Sequence, residues 1–386
     1  MRKRNIFFLS LGALVVVAAI AAPILLSPGP VAVASGPVAP LDAAEQAAII
    51  EAMRPTKRER PVIAIVARNA ATEVSDLFSA YGVLKRADVA DVTLVAEKKE
   101  PIHLFETVFT VDPEDTFAAF DQQHPDGADY VVVPAMDPGT DPVVADWIVA
   151  QKNKGAMVVS ICNGSKTVGF AGLLDGRRAT GHWSALDELQ KKYPTMVRVP
   201  DRRYVVDDGL VTSTGITSNV PVMLALVEAI GGRDVVERVA GELGVSHWDA
   251  RHHSADFELT TEHKKTYIRN AITIWRQETI AIPLVEGVDE IALGLVADAY
   301  SRSELANVVI VSPKGKAVRS KHGLVLHPVQ AAEMVVAKEI FPPPPTAKPA
   351  MALEAELPRI AARYDRPTAA YVALVMEYPW AGAAAN

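Results

Sequence analysis

The sequence of 386 residues predicts an α/β protein: a three-layer αβα sandwich on a mostly parallel sheet, with a partial second α/β copy after it and a hydrophobic helix at the N-terminus. Three observations carry this expectation. Short unbroken apolar runs recur, as strands buried on both faces require. Segments of helical spacing alternate with them, which implies parallel pairing. A similar strand–helix pattern returns after residue 281.

In chain order, residues 62–67, Val-Ile-Ala-Ile-Val-Ala, form the first strand. Residues 76–86 place Leu77, Tyr81, Val83 and Leu84 at helical spacing. Residues 92–96 make a second strand, 117–120 a short helix, and 130–133 a third strand that ends at Pro134. Residues 143–154 form a helix with Val144, Trp147 and Ile148 inward. A fourth strand over 156–160 leads to a helix over 166–174. Residues 179–181 and 197–199 are short strands, and 205–212 a hairpin that turns at Asp207-Asp208-Gly209. Residues 219–231 form a long apolar helix. Ligands of such sheets sit beyond the carboxyl ends of the strands, which singles out the loops after Ala67, Val133 and Ser160.

Composition narrows the function classes. Hydrophobic residues are 49% and charged residues 22%, so wholesale disorder and fibrous repeats are excluded. The net charge is −7 and no basic block follows the first residues, so no nucleic-acid partner is expected. A single cysteine makes neither an internal disulfide nor a four-thiolate zinc site. No metal and no cofactor is expected. Arg2-Lys3-Arg4 precede an uncharged run over 6–26, which as a helix covers ~30 Å, the thickness of a bilayer core. The basic flank stays in the cytoplasm and the rest is exported. Ala32-Val33-Ala34 resembles a cleavage site, so residues 1–34 are a signal peptide or a membrane anchor. Residues 35–59 read as a linker with a short helix over 43–53, and 341–386 as a Pro-rich linker and tail holding at most two short helices.

The only thiol, Cys162, stands between the fourth strand and the next helix, in Ser160-Ile161-Cys162-Asn163-Gly164-Ser165. This is the layout of a nucleophile elbow. A helix N-terminus beside the sulfur favours thiolate, and the amides of Asn163 and Gly164 are candidate oxyanion donors. Ser75, Ser160 and Ser165 lack a G-x-S-x-G context, so serine hydrolysis is not expected.

Downstream, Ala171-Gly172-Leu173-Leu174-Asp175-Gly176-Arg177-Arg178-Ala179-Thr180-Gly181-His182-Trp183 is followed by Tyr193-Pro194, by residues 201–209 and by Thr212-Ser213-Thr214-Gly215. Together with Cys162-Asn163-Gly164, these motifs resemble the DJ-1/PfpI superfamily, of glutamine amidotransferase-like, flavodoxin-like architecture. The resemblance is strongest to the amidase-like domain of AraC-type regulators and to isocyanide hydratase, and spans residues 60–245. It implies that Cys162 is the elbow cysteine, His182 a histidine near it, and Asp76 the acid of the first helix, with Glu73 one turn away as the alternative. It further implies that the loop at Ala135 and Met136 completes an anion pocket, that a small-molecule ligand or substrate is bound, and that the chain forms a homo-oligomer. Two positions depart from the pattern: Ala135-Met136 stand where relatives have Gly-Gly, and Asn163 replaces a threonine.

No helix-turn-helix domain follows. Residues 246–280 read as connecting helices, and 281–340 as a degenerate copy of the same unit, with residues 285–290 as its opening strand and turn and Ala292 at the acid position. His247, His252 and His253 read as surface residues. Three functions follow: a cysteine-dependent hydrolase, hydratase or glyoxalase-like enzyme acting on a small electrophile, a non-catalytic module that senses a ligand or redox state, or a scaffold with a vestigial site.

Overall fold

Strand β1 (Val62–Ala67) is buried at all six positions. Its side chains alternate between two cores: Ile63, Ile65 and Ala67 face one, while Val62, Ala64 and Val66 face the other. A strand without a wet face needs no polar positions, which accounts for its continuous apolar run. The structure is a computed structural model that describes residues 41–105 and 107–380.

Around β1 lies a seven-stranded sheet made with β2 (Asp91–Ala96), β3 (Asp115–Thr116), β4 (Tyr130–Val133), β5 (Met157–Ser160), β6 (Tyr204–Asp207) and β7 (Leu210–Ser213). The order is β6-β7-β5-β4-β1-β2-β3. Every neighbouring pair is parallel except the β6–β7 hairpin. The helix α1 (Ala43–Ala52) packs beside β6, where Glu45 pairs with Arg202 at 2.7 Å. One face of the sheet carries α2 (Val74–Ala87), and the other carries α3 (Phe117–Gln123), α4 (Pro142–Asn153), α5 (Gly164–Phe170) and α6 (Leu186–Lys192). Helices α7 (Asn219–Gly231) and α8 (Arg233–Leu243) join α2 on its face. The three layers expected from the alternation are therefore present.

The second half contains α9 (Thr261–Ile272), the strand β8 (Glu278–Pro283), α10 (Glu290–Ser301) and the strand β9 (Ala306–Ser312). β8 and β9 pair in parallel inside a four-stranded sheet completed by β10 (Gln330–Ala331) and β11 (Glu339–Ile340). The opening strand of this unit precedes residues 285–290, which form the turn into α10. The apolar run at Ile280–Ile282 is short and begins next to Glu278, whose carboxyl is held by Arg363, Lys338 and Tyr364. Helices α11 (Ala352–Arg363) and α12 (Arg366–Val375) close the chain over α10. Buried side chains of α2, α7, α10, α11 and α12 belong to one continuous core, so the halves share an interior.

A five-stranded sheet ties the halves further. Val325–His327, expected to extend the second unit, instead pairs with Phe109–Val111 of the first half, Leu326 opposite Val111. Val318–Arg319 flanks it on one side, and Ile102–Phe105 and Thr72–Glu73 on the other. These strands are two to four residues long, too short for an alternation to register. The apolar segment over 6–26 lies outside the described residues. Among the described residues no helix is long and apolar enough to cross a membrane.

Candidate functional site

β5 runs directly into α5, and Cys162 at the joint has φ +54°. A non-glycine residue in the left-handed region is strained and persists only where its surroundings hold it. Here the Cys162 amide donates to the Thr214 carbonyl at 3.2 Å, and Ser165 Oγ donates to the Cys162 carbonyl at 2.9 Å. Gly164 is required by space: a Cβ there would come 2.2 Å from the carbonyl oxygen of Val133. The elbow expected from the sequence is therefore formed.

Cys162 is 3% exposed and lines a cavity of about 490 Å³, together with Glu73, Ala135, Met136, Asn163, His182 and Arg302. Burial pushes its thiol well above the ordinary value, and the charges of Asp76 and Glu73 push it further, against the opposing pull of Arg302 and the Asn163 amide. This corrects the expectation of a helix-stabilised thiolate. The helix start contributes one donor, because the Gly164 amide is already given to the Ile161 carbonyl at 2.7 Å. Gly164 serves as a spacer and not as an oxyanion donor.

The loop after β4 differs from expectation in the same way. The Ala135 amide donates to Asp76 Oδ2 at 3.0 Å, so it anchors the acid and is not directed at a ligand. Ala135 and Met136 line the cavity without adopting positive φ, and Met136 forms a bridge with Thr72. Of the expected amide donors, Asn163 alone acts on the sulfur.

Two carboxyls stand at the start of α2. Glu73 is its N-cap: Oε2 accepts from the Asp76 amide at 2.5 Å, and Oε1 lies 3.3 Å from Arg302 Nη2. Asp76 is fully buried, and its Oδ1 has no protein partner. Burial raises Asp76 to about 7, with the Ala135 amide opposing and the Asp298 charge assisting. Burial, Asp298 and Asp76 likewise push Glu73 well up. The alternatives Asp76 and Glu73 are thus both present, as a pair that retains a proton near neutrality.

His182 lines the cavity, yet both ring nitrogens are occupied. Nε2 lies 3.0 Å from the Val375 carbonyl, which can only accept, so Nε2 carries the proton. Nδ1 then accepts from Ser184 Oγ at 2.6 Å. Burial lowers the pKa of this neutral ring. The arrangement gives His182 a structural bond to the C-terminal helices, and both its ring nitrogens are engaged there and at Ser184. Beside it, Trp183 Nε1 donates to the Leu374 carbonyl at 2.9 Å. Glu377 accepts from the Gly215 amide at 2.5 Å and pairs with His252 at 2.9 Å. His252, read as a surface residue, is buried and stacks on Phe257.

Asp298 of α10, Arg302 at the C-cap of that helix and Glu377 after α12 reach this region with no motif in the sequence to point to them. Arg302 Nε lies 2.6 Å from Asp298 Oδ1. Lys166 and Tyr193 also line the cavity, where the Tyr193 hydroxyl and Asn163 Oδ1 are buried without a protein partner. The cavity can therefore hold a small molecule that offers both apolar surface and hydrogen-bonding atoms.

Residues 61–229 match the model of the DJ-1/PfpI family. The isonitrile hydratase of Pseudomonas putida is 38% identical over 104 residues, covering 27% of this chain and 44% of that protein. The HTH-type transcriptional regulator CdhR of Pseudomonas aeruginosa is 29% identical over 134 residues, covering 34% of this chain and 40% of that protein. This chain thus spans less than half the length of either relative. The crystal structure of Drosophila melanogaster DJ-1beta superposes with a TM-score of 0.43 at 23% identity, covering 49% of this chain and all of that one.

Proposed function

Through residues 61–229 the chain belongs to the DJ-1/PfpI family, and from that premise we propose that Cys162 performs addition chemistry on a small, uncharged electrophile. The observation that carries this is the left-handed Cys162 elbow opening on the same cavity as Glu73, with the buried carboxyl of Asp76 behind Glu73 close enough for its charge to act on the thiol. A thiol raised by burial attacks only as its proton leaves. In the proposed step a Cys162 Sγ–carbon bond forms while the thiol proton passes to ionised Asp76. The substrate then takes the proton back from Asp76, on the far oxygen of an aldehyde or on the attacked carbon itself of an isonitrile, whose one carbon receives both sulfur and proton. Water then adds to the same carbon, the Sγ–carbon bond breaks and sulfur recovers a proton, for a net addition of water. The similarity to an isonitrile hydratase supports isonitriles among the candidates; aldehydes follow the same course, whereas for amides the C–N bond breaks, the amine leaves with the proton from Asp76, and water then releases the acid from sulfur. Incubating the protein with small members of each class and following products by mass spectrometry tests the reading. Turnover is expected, lost in Cys162→Ala and in Asp76→Asn; turnover that survives Cys162→Ala overturns it.

A second reading is a ligand- or redox-sensing module. The commitment of the Gly164 and Ala135 amides to internal partners favours it, since few donors remain for a developing oxyanion. Saturable binding without turnover, or a stable Cys162 sulfinate formed with peroxide, would select this alternative. For either reading, the support for export or membrane anchoring is Arg2-Lys3-Arg4 and the apolar run that follows.

A further inference from the structure

Residues 62–96 and 278–312 follow one plan. Each is a strand, a helix and a second strand parallel to the first, β1-α2-β2 and β8-α10-β9. Each helix is capped by an acidic side chain that accepts a backbone N–H, Glu73 in α2 and Asp289 in α10. Thirteen residues after each cap stands an arginine, Arg86 and Arg302. The two helices lie antiparallel, and the caps and arginines are exchanged between them. Arg302 reaches Glu73 at 3.3 Å, and Arg86 reaches Asp289 at 2.5 Å. The same shift that relates the caps relates Phe78 to Gly294, and these two residues meet each other: a Cβ on Gly294 would lie 3.4 Å from Phe78 Cβ. This is the pattern of an approximate two-fold axis passing between α2 and α10.

The two ends of the helix pair differ in one respect. At the Arg86 end the position corresponding to Asp76 is Ala292, and no cysteine follows β9. At the Arg302 end the guanidinium enters the wall of the cysteine cavity. We propose that residues 278–312 are an internal repeat of residues 62–96, docked where a second copy would sit, and that this repeat delivers Arg302 to the first unit as a positioning residue for the Glu73–Asp76 pair. Arg302 reaches Glu73 on one side and Asp298 on the other, so one cation serves a cluster of three buried carboxyls. The charged and titratable groups around Asp76 are then Glu73 at the start of its own helix, Asp298 of α10 with Arg302 at the C-cap of that helix, and Cys162.

The inference uses the proposed cysteine site only for its location, and its test reads a proton and not a product. Asp76 is titrated in the full chain by carboxyl NMR with isotope-labelled aspartate, its signal assigned by its loss in Asp76→Asn. In Arg302→Gln the Asp76 titration is expected to move up by about one pH unit or more, the effect of losing a nearby opposite charge. Arg302→Lys, which restores the charge, returns most of that shift. The double variant Arg86→Gln with Asp289→Asn, which neutralises the reciprocal pair at the other end, leaves the titration in place. Asp298→Asn, which removes a buried carboxylate of the repeat and keeps the arginine, moves it down. An Asp76 titration unmoved in Arg302→Gln, or moved equally by the reciprocal double variant, overturns the proposal. If Arg302→Gln does not fold, an unmoved titration in Asp298→Asn overturns it alone. Loss of turnover on every substrate tried would sink the enzymatic reading and leave this result standing.

Discussion

The backbone amide of Ala135 donates to Asp76 Oδ2 at 3.0 Å, while the Ala135 carbonyl accepts from the Glu73 amide at 2.9 Å. One peptide segment thus fixes the start of α2 from both sides and turns Asp76 Oδ1, which has no protein partner, into the buried interior. Burial keeps this carboxyl protonated more readily than one in water, against the opposing pull of the Ala135 amide.

The pH dependence of stability follows from that. The folded-state value of Asp76 is about 7 against 3.8 for the free group. Between these values the folded chain holds a proton that the unfolded chain has released. The resulting contribution is fully present below 3.8 and is lost as pH rises through about 7. Asp76→Asn is expected to flatten this decline, so the melting temperature of the parent should fall relative to that of the variant as pH rises from about 4 to about 8.

The thiol responds in the opposite direction to loss of that acid. Alkylation of Cys162 should show a midpoint above the ~8.5 of a free cysteine. Asp76→Asn removes a negative charge that raises the thiol, so its alkylation midpoint should fall. Turnover of a true substrate should fall in the same variant by about 10²–10⁴-fold, the usual contribution of a proton carrier. A variant that became both easier to alkylate and more active would contradict this role.

Arg86 and Asp289 form an ion pair with both side chains buried. Removing one partner leaves an uncompensated charge, so Arg86→Gln should cost about 3–5 kcal/mol in denaturant unfolding. Adding Asp289→Asn should recover most of that loss, because a neutral pair carries no stranded charge.

His182→Ala should act on the end of the chain more than on the sulfur. It removes the bond to the Val375 carbonyl, so limited proteolysis should cut α12 faster, while the alkylation midpoint of Cys162 stays close to that of the parent.

Much of the first half was legible because its strands have no polar face. Residues 62–67, 130–133 and 219–231 are read with the boundaries the structure has, and the elbow at Cys162 follows from a strand meeting a helix without a spacer. Two kinds of feature were not legible. Hydrogen bonding between amides and carboxylates decides whether Ala135 and Gly164 face a ligand, and residue type does not encode the direction of an N–H. Arg302 stands 229 residues from Glu73 in the chain, and no local periodicity reports such a pairing.

The short strand Val325–His327, lodged beside Phe109–Val111, has a consequence for how this gene can be divided. A fragment ending near residue 245 would strip a neighbour from Phe109–Val111 and uncover the apolar flank of α2, offering other chains both an open ladder and a greasy surface. Such a fragment should precipitate, or recruit an intact molecule to supply the missing piece.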